Sequence, residues 1–316
     1  MFTAIVVLMM LCAFAYHLRT QGIFACNGSV YGQTRFLAYC NSLSYRDYDQ
    51  GSFWHQLDES AYRHARQAQV LFIGNSKLQF ALSTQATSDW FAQRSTSHFL
   101  FGFAHNETVR FFSPVLAAMK PQARVIVIHV DRLFEDRLTP PMTILANDPG
   151  SRRIFRTKKV WQRIHRPVCS FASELCGQNF GLHRNMENGH WLFTGTQGRL
   201  DQPVPTSDGP PLEQEHWPDR AQRARDFIAP LQADNRCVLL ILIPSQKTRR
   251  EEALYIADAL NLPLISPDVE GLETFDRNHL DEASATRWST ALFETAGDMI
   301  EGCLSPQTSL DSEHSH

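Results

Sequence analysis

From Gln67 onward, short apolar runs alternate with longer amphipathic stretches, and nothing else in the chain limits its fold as strongly. The runs are Ala68–Gly74 ("AQVLFIG"), Ser97–Ala104 ("SHFLFGFA"), Ala123–Val130 ("ARVIVIHV"), Cys237–Pro244 ("CVLLILIP") and the shorter Leu262–Pro267 ("LPLISP"). Continuous apolar runs of this length are expected for strands covered on both faces. Between them, helices are expected at about Thr84–Gln93, Glu107–Met119, Pro218–Ala233, Arg249–Leu260 and Glu282–Glu301. Strand-helix alternation implies right-handed crossovers and a parallel sheet with helices on both sides. A chain of 316 residues, 43% hydrophobic and 20% charged, has enough apolar matter for such a core. A net charge of −3 gives no global reason to expect nucleic acid as a partner.

Residues 136–217 break the rhythm and read as an insertion between the third and fourth strands. The segment holds a Pro-rich run, "DQPVPTSDGPP", and an Asn188-Gly189 pair suited to closing a β-hairpin with Trp191 and Phe193 on its second arm. It also holds Ser151–Arg166, where seven Lys and Arg residues are interleaved with Ile154, Phe155, Trp161 and Ile164. That pattern fits a solvated amphipathic helix, or one lying on an anionic membrane or polymer. Arg184 and His190 flank the Asn-Gly pair and are candidate substrate contacts. The tail 304–316 is polar and reads as disordered.

The N-terminus has a different character. Phe2–Tyr16 is almost wholly apolar and uncharged. Extended to Leu18, it reaches the lower limit of the roughly 17–25 residues of a transmembrane helix. Residues 1–18 are therefore expected to be a membrane anchor or an export signal, with a buried core helix as the rival. Residues 19–66 read as a membrane-proximal lead-in to the domain at 67–303. Cysteine usage agrees with export. The six cysteines beyond this segment, Cys26, Cys40, Cys169, Cys176, Cys237 and Cys303, are an even set. Six allow 15 connectivities. Proximity favours Cys26–Cys40, Cys169–Cys176 and Cys237–Cys303, against the alternative of six free thiols.

The chemistry is sought where ligands bind open parallel sheets, beyond the carboxyl ends of the strands. There "VLFIGNSKLQFAL" ends an apolar run in Gly74-Asn75-Ser76, read as a glycine turn that presents Ser76 at a helix start. Free N–H groups there can hold an oxyanion. A serine hydroxyl needs a base to be a nucleophile. The loop before the last helix, "ETFDRNHLDEAS", supplies His279 with Asp276 three residues earlier, able to fix its tautomer. The plainer alternatives are a helix N-cap for Ser76 and local capping for Asp276 and His279.

Gly-x-Ser after the first strand, with Asp276-x-x-His279-Leu280 before the final helix, resembles the SGNH (GDSL-like) hydrolase superfamily over roughly Val70 to Ile300. The resemblance implies a flavodoxin-like three-layer α/β/α sandwich with a Ser76-His279-Asp276 triad. The sequence has no Cys/His spacing typical of zinc, no phosphate-binding Gly-rich loop and no dinucleotide fingerprint, so no metal or nucleotide cofactor is suggested. The resemblance also implies a serine-dependent esterase or O-acyltransferase. The substrate would be an acylated glycan of the cell envelope, and a membrane acyl-transfer or export system a candidate partner. It further implies oxyanion donors from Ser76 itself, from a glycine after the second strand, which Gly102 suits, and from an asparagine after the third. Asp131 occupies that last place, and Asn106 is the alternative donor. Asn75 and Asp131 are further candidate substrate contacts. A catalytically inactive binding or assembly factor for polysaccharide export is the competing function.

Overall fold

The computed structural model describes residues 2–28, 30–42, 44–194, 202–210, 214–233 and 236–305. In chain order the elements are α1 (Phe2–Thr20), β1 (Arg35–Cys40), α2 (Tyr48–Trp54), α3 (Glu59–Gln67), β2 (Val70–Asn75), α4 (Ser76–Ala81), α5 (Thr84–Gln93) and β3 (His98–Phe103). A 3-10 turn (Ala104–Asn106) leads to α6 (Val109–Met119), β4 (Val125–His129), α7 (Pro140–Asn147) and α8 (Ser151–Phe171). Next come β5 (Gly181–Asn185), β6 (Trp191–Thr194), β7 (Val204–Pro205), β8 (Ser207–Asp208) and α9 (Trp217–Gln232). The chain continues with β9 (Cys237–Ile241), β10 (Gln246–Thr248), α10 (Arg250–Leu260), β11 (Leu264–Ile265), β12 (Glu273–Thr274) and α11 (Glu282–Leu304).

The five apolar runs form one parallel sheet in the order β11-β9-β4-β2-β3. Counted within the sheet, this is 2-1-3-4-5, a doubly wound order whose switch point lies between β2 and β4. Each strand is buried on both sides because alternate residues serve different cores. Val70, Phe72, Val125, Val127, Leu239 and Ile241 pack with Leu78, Phe91, Trp288 and Leu292 from α4, α5 and α11. Leu71, Ile73, Phe101, Ile126, Ile128 and Leu240 face Phe112, Phe227 and Ile256 from α6, α9 and α10. Helices thus flank both faces, an arrangement consistent with three layers.

Residues 19–66 do more than lead in. β1 joins β5 and β6 in a three-stranded antiparallel sheet, while Tyr48, Phe53 and Ala61 of α2 and α3 enter the main core. The region between β4 and α9 adds α7, α8 and the β5–β6 hairpin. The hairpin turn covers the edge of β3, where Leu100 N–H donates to the Asn188 carbonyl at 2.9 Å. Gly189 permits this approach. Its φ is +76°, and an added Cβ would lie 2.4 Å from the Leu100 oxygen.

The expected disulfides Cys26–Cys40, Cys169–Cys176 and Cys237–Cys303 are all present. α8 is a 21-residue helix in which Phe155, Gln162, His165 and Cys169 face inward. α11 runs to Leu304, and the remainder of the expected tail, 306–316, lies outside the described residues. α1 exposes Val7, Leu8, Met9, Met10 and Leu11, consecutive positions that cover every side of a helix, so it is not a core helix. At 19 residues it spans about 28 Å. Among the described residues no helix is long and apolar enough to cross a membrane.

Burial also leaves a set of neutral histidines. It pushes His98, His129, His165 and His183 down to about 4, and His190 well below its ordinary value. Their folded pKa values lie below the unfolded value of about 6.5, so between those limits the unfolded chain binds more protons than the folded one. Their contribution to stability is therefore complete above about pH 6.5 and is lost as pH drops toward 4, opposed in part by the single Glu107, whose buried carboxyl is pushed up to about 7. The thermal unfolding midpoint should decline steeply across that window. A midpoint constant from pH 7 to 4.5 would show that these rings take up protons in the folded state.

Candidate active site

β2 ends at Asn75 and α4 begins at Ser76 with no glycine turn between them. Gly74 lies within β2, opposite Gly102 of β3, where an added Cβ would stand 2.9 Å from the His129 Cβ. Asn75 is extended (φ −97°, ψ −165°), and its Oδ1 accepts from the Lys77 N–H at 2.9 Å. Asn75 thus performs the N-capping that was the plain alternative for Ser76. Ser76, the first helical residue, keeps its hydroxyl for another partner. Its N–H belongs to the first turn, whose N–H groups lack intrahelical acceptors.

That partner comes from the β12–α11 loop. Phe275 N–H donates to the His279 carbonyl at 3.0 Å, closing a tight turn in which Arg277 is left-handed (φ 73°). Inside the turn, Asp276 Oδ1 accepts from the N–H groups of Asn278 and His279 at 3.0 and 2.8 Å. The other oxygen, Oδ2, lies 2.6 Å from His279 Nδ1. A carboxylate only accepts, so Nδ1 carries the proton and Nε2 presents a lone pair. Nε2 stands 2.8 Å from Ser76 Oγ. Burial works to raise the Asp276 carboxyl, but the hydrogen bond and electrostatic attraction of the His279 ring and the two backbone N–H groups outweigh it, holding Asp276 below its ordinary value. The side chains of His279 and Asp276 remain 18% and 22% exposed, so the line of groups opens to solvent.

The Pro-rich run supports this loop from below. β7 pairs with β12, and Thr274 Oγ1 donates to the Val204 carbonyl at 3.0 Å. Aromatic rings hold His279 from the side. Phe80 lies 4.6 Å from the imidazole between centroids, and Phe275 stacks on it at 5.7 Å, with Phe193 packed on both. Sequence reasoning missed Phe80 and Phe275. Their signal was positional: one helical turn beyond Ser76, and next to Asp276.

On the side toward β4 and β9, Lys77 reaches across the carboxyl edge of the sheet. Its Nζ donates to Asp131 Oδ2 at 2.6 Å and to Ser245 Oγ at 2.9 Å. Burial works against the Asp131 carboxylate, but Lys77 and neighbouring charges hold its pKa below the ordinary value, so it stays ionised and paired. Asn75 Nδ2 donates to the Asp131 carbonyl at 3.2 Å. Asn75 and Asp131 therefore set the geometry of the β2 and β4 exits. Both are buried, and Asn75 Nδ2, Asn75 Oδ1 and Asp131 Oδ2 are engaged inside the protein.

The remaining candidates are placed as follows. Gly102 lies inside β3 and not in the loop beyond it. Its carbonyl accepts from Gln79 Nε2 at 3.1 Å and Arg184 Nη2 at 2.5 Å, and an added Cβ would meet the Asn75 oxygen at 2.8 Å. Its lack of a side chain lets α4 pack closely on β3. Asn106 is left-handed (φ 49°) in the 3-10 turn beside β2 and α4, with its carbonyl held by Arg137 at 2.6 Å. In both residues it is the backbone carbonyl that is engaged.

Arg184 and His190, expected near the substrate, are both buried in the fold. The Arg184 side chain is 0% exposed and all five of its donors are used. Asp49 takes Nε and Nη2 at 2.8 and 2.6 Å, and the carbonyls of Leu100, Gly189 and Gly102 take the rest. His190 is buried between Thr84 and His98, 3.4 Å from each. An arginine and a histidine at a turn looked available from sequence, but the hairpin folds both inward to lock the β3 edge.

Among the described residues, His165, Cys169 and Cys176 bring ligand-type atoms within 4.8 Å of one another. Both sulfurs are joined in a disulfide, and His165 already pairs with the Tyr31 hydroxyl and the Cys26 carbonyl. Comparisons with family models, with curated proteins and with solved structures found no match. The site is therefore read from its own geometry.

Proposed function

We propose that the chain is a divergent SGNH-like serine enzyme of flavodoxin-like fold that cleaves or transfers O-acyl groups on a cell-envelope or extracellular polysaccharide. The observation that carries the reading is the hydrogen-bonded line Ser76 Oγ, His279 Nε2, His279 Nδ1, Asp276 Oδ2, at 2.8 and 2.6 Å. Ser76 Oγ attacks the acyl carbonyl while His279 Nε2 takes its proton. The resulting imidazolium is stabilised by Asp276, and the carbonyl oxygen bears the negative charge within reach of the Ser76 N–H. Collapse expels the sugar hydroxyl, which receives the proton from His279, and leaves an acyl-serine. Water then regenerates the serine in an esterase; a second sugar hydroxyl does so in a transferase. Lys77, the residue next to Ser76, neutralises the buried Asp131 carboxylate.

Three disulfides favour an oxidising, extracytoplasmic setting, and the exposed apolar α1 favours association with a lipid surface. An acyl-donating membrane system or an export system is the corresponding partner. Release of acetate from acetylated xylan by the full chain, abolished by Ser76→Ala, is the expected result. Undiminished release by Ser76→Ala would sink the reading. The competing reading, an inactive glycan-binding factor, draws on the position of Gly102 inside β3 rather than in the loop beyond it, where an oxyanion donor is expected. It requires binding of the same xylan with no acetate released.

A further inference from the structure

Immediately beyond Asp131, the β4 exit gathers more positive charge than the protein itself uses. Three guanidinium groups converge on one carboxylate. Arg132 Nε and Arg249 Nη1 reach Glu135 Oε1 at 3.1 and 2.6 Å, and Arg137 Nε reaches Oε2 at 2.9 Å. Glu252, 3.7 Å from Arg249, is taken by Arg220 at 2.5 Å. With Lys77 and Asp131, four cations face two carboxylates, leaving two positive charges in excess.

The donors are also in excess. Arg132 spends only Nε, so among the described residues its four terminal N–H groups have no acceptor. Arg249 uses only Nη1. The Arg132 side chain is 39% exposed and that of Arg249 19%, so both can be reached from solvent. Arg132 also holds a left-handed backbone (φ 61°), which a non-glycine residue keeps only where its surroundings impose it. The cluster lies at the same sheet edge as the nucleophile. Arg132 follows the peptide whose carbonyl Asn75 holds, and Asn75 precedes Ser76. Arg137 ties the cluster to the turn after β3 through the carbonyls of His105 and Asn106.

The geometry points to an oxyanion subsite at Arg132 and Arg249 that receives a carboxylate or phosphate carried by the glycan. This rests on the reading of Ser76 as the acyl acceptor and makes its substrate an anionic polymer. Guanidinium donors suit either oxyanion, because a planar fork matches two of its oxygens. Glu135 holds the fork in place from beneath, and the exposed ends face the incoming chain.

The test is calorimetric titration of full-length Ser76→Ala, which binds without turnover, with trigalacturonate, glucose 6-phosphate, maltotriose and glucose. Trigalacturonate or glucose 6-phosphate is expected to bind at least tenfold more tightly than its neutral counterpart, and the tighter of the two identifies carboxylate or phosphate. Adding Arg132→Gln should weaken the charged probe about tenfold, the size of one charge-assisted contact, and Arg132→Lys should recover part of it. Raised salt should weaken it further, as an exposed charge pair requires. Equal binding of charged and neutral probes, or no effect of Arg132→Gln, overturns the subsite. If no probe binds while wild-type Ser76 reacts with a fluorophosphonate, the subsite falls and the serine-enzyme reading stands. If the charged probe binds while Ser76 is inert, the enzyme reading falls and the anion site remains.

Discussion

Asp276→Asn is expected to cut ester turnover about 10⁴-fold while leaving the fold intact. The reason is local and geometric. Asp276 Oδ1 accepts two backbone N–H groups, from Asn278 and His279. In the variant, those donors hold the amide oxygen, so the amide nitrogen must face His279 Nδ1. That nitrogen donates, so Nδ1 becomes the acceptor and the ring proton moves to Nε2. An imidazole protonated at Nε2 cannot take the proton of Ser76. Steady-state kinetics on an acyl ester, with the unfolding midpoint as control, checks this. A tenfold or smaller loss would show that Asp276 orients the loop but not the tautomer.

Arg184→Met should destabilise the protein by about 3–5 kcal/mol, a large part of the ~5–15 kcal/mol that holds a domain folded. Methionine roughly preserves the volume. It leaves Asp49 buried without its cation, and three carbonyls, of Leu100, Gly102 and Gly189, without this donor. The carbonyls of Leu100 and Gly102 keep Gln79, so the heaviest loss falls on Asp49 and Gly189. The hairpin should detach from the β3 edge before the main sheet unfolds. Urea denaturation checks the magnitude. A shift below 1 kcal/mol would mean that the pair is solvated and the hairpin docks by apolar contact alone.

These two residues also show what can be read from sequence and what cannot. The parallel sheet was legible because β2, β3, β4 and β9 are apolar on both faces, which leaves a continuous run instead of an alternating one. Ser76 was legible because it directly follows β2 of the parallel sheet, and Asp276 and His279 because their Asp-x-x-His spacing falls in the loop before α11. Arg184 was misread because exposure is a tertiary property. Nothing near Asn188-Gly189 announces that Asp49, far earlier in the chain, will meet its guanidinium. The same limit applied to residues 19–66, whose strand β1 finds its partner only when β5 arrives. Lys77 escaped notice for a related reason. It stood beside the serine, but its partners Asp131 and Ser245 belong to other strand exits. Gly102 reads from sequence as a loop residue because a lone glycine marks both turns and close backbone approaches, and here it marks the second.

The central claim is that Ser76 is a nucleophile activated by His279. The direct measurement is to treat the full-length protein with a fluorophosphonate near pH 7.5 and locate the adduct by mass spectrometry of its peptides. A single adduct on Ser76, lost when His279 is replaced by Ala, is the predicted result. An unmodified Ser76, or labelling that persists without His279, would contradict it.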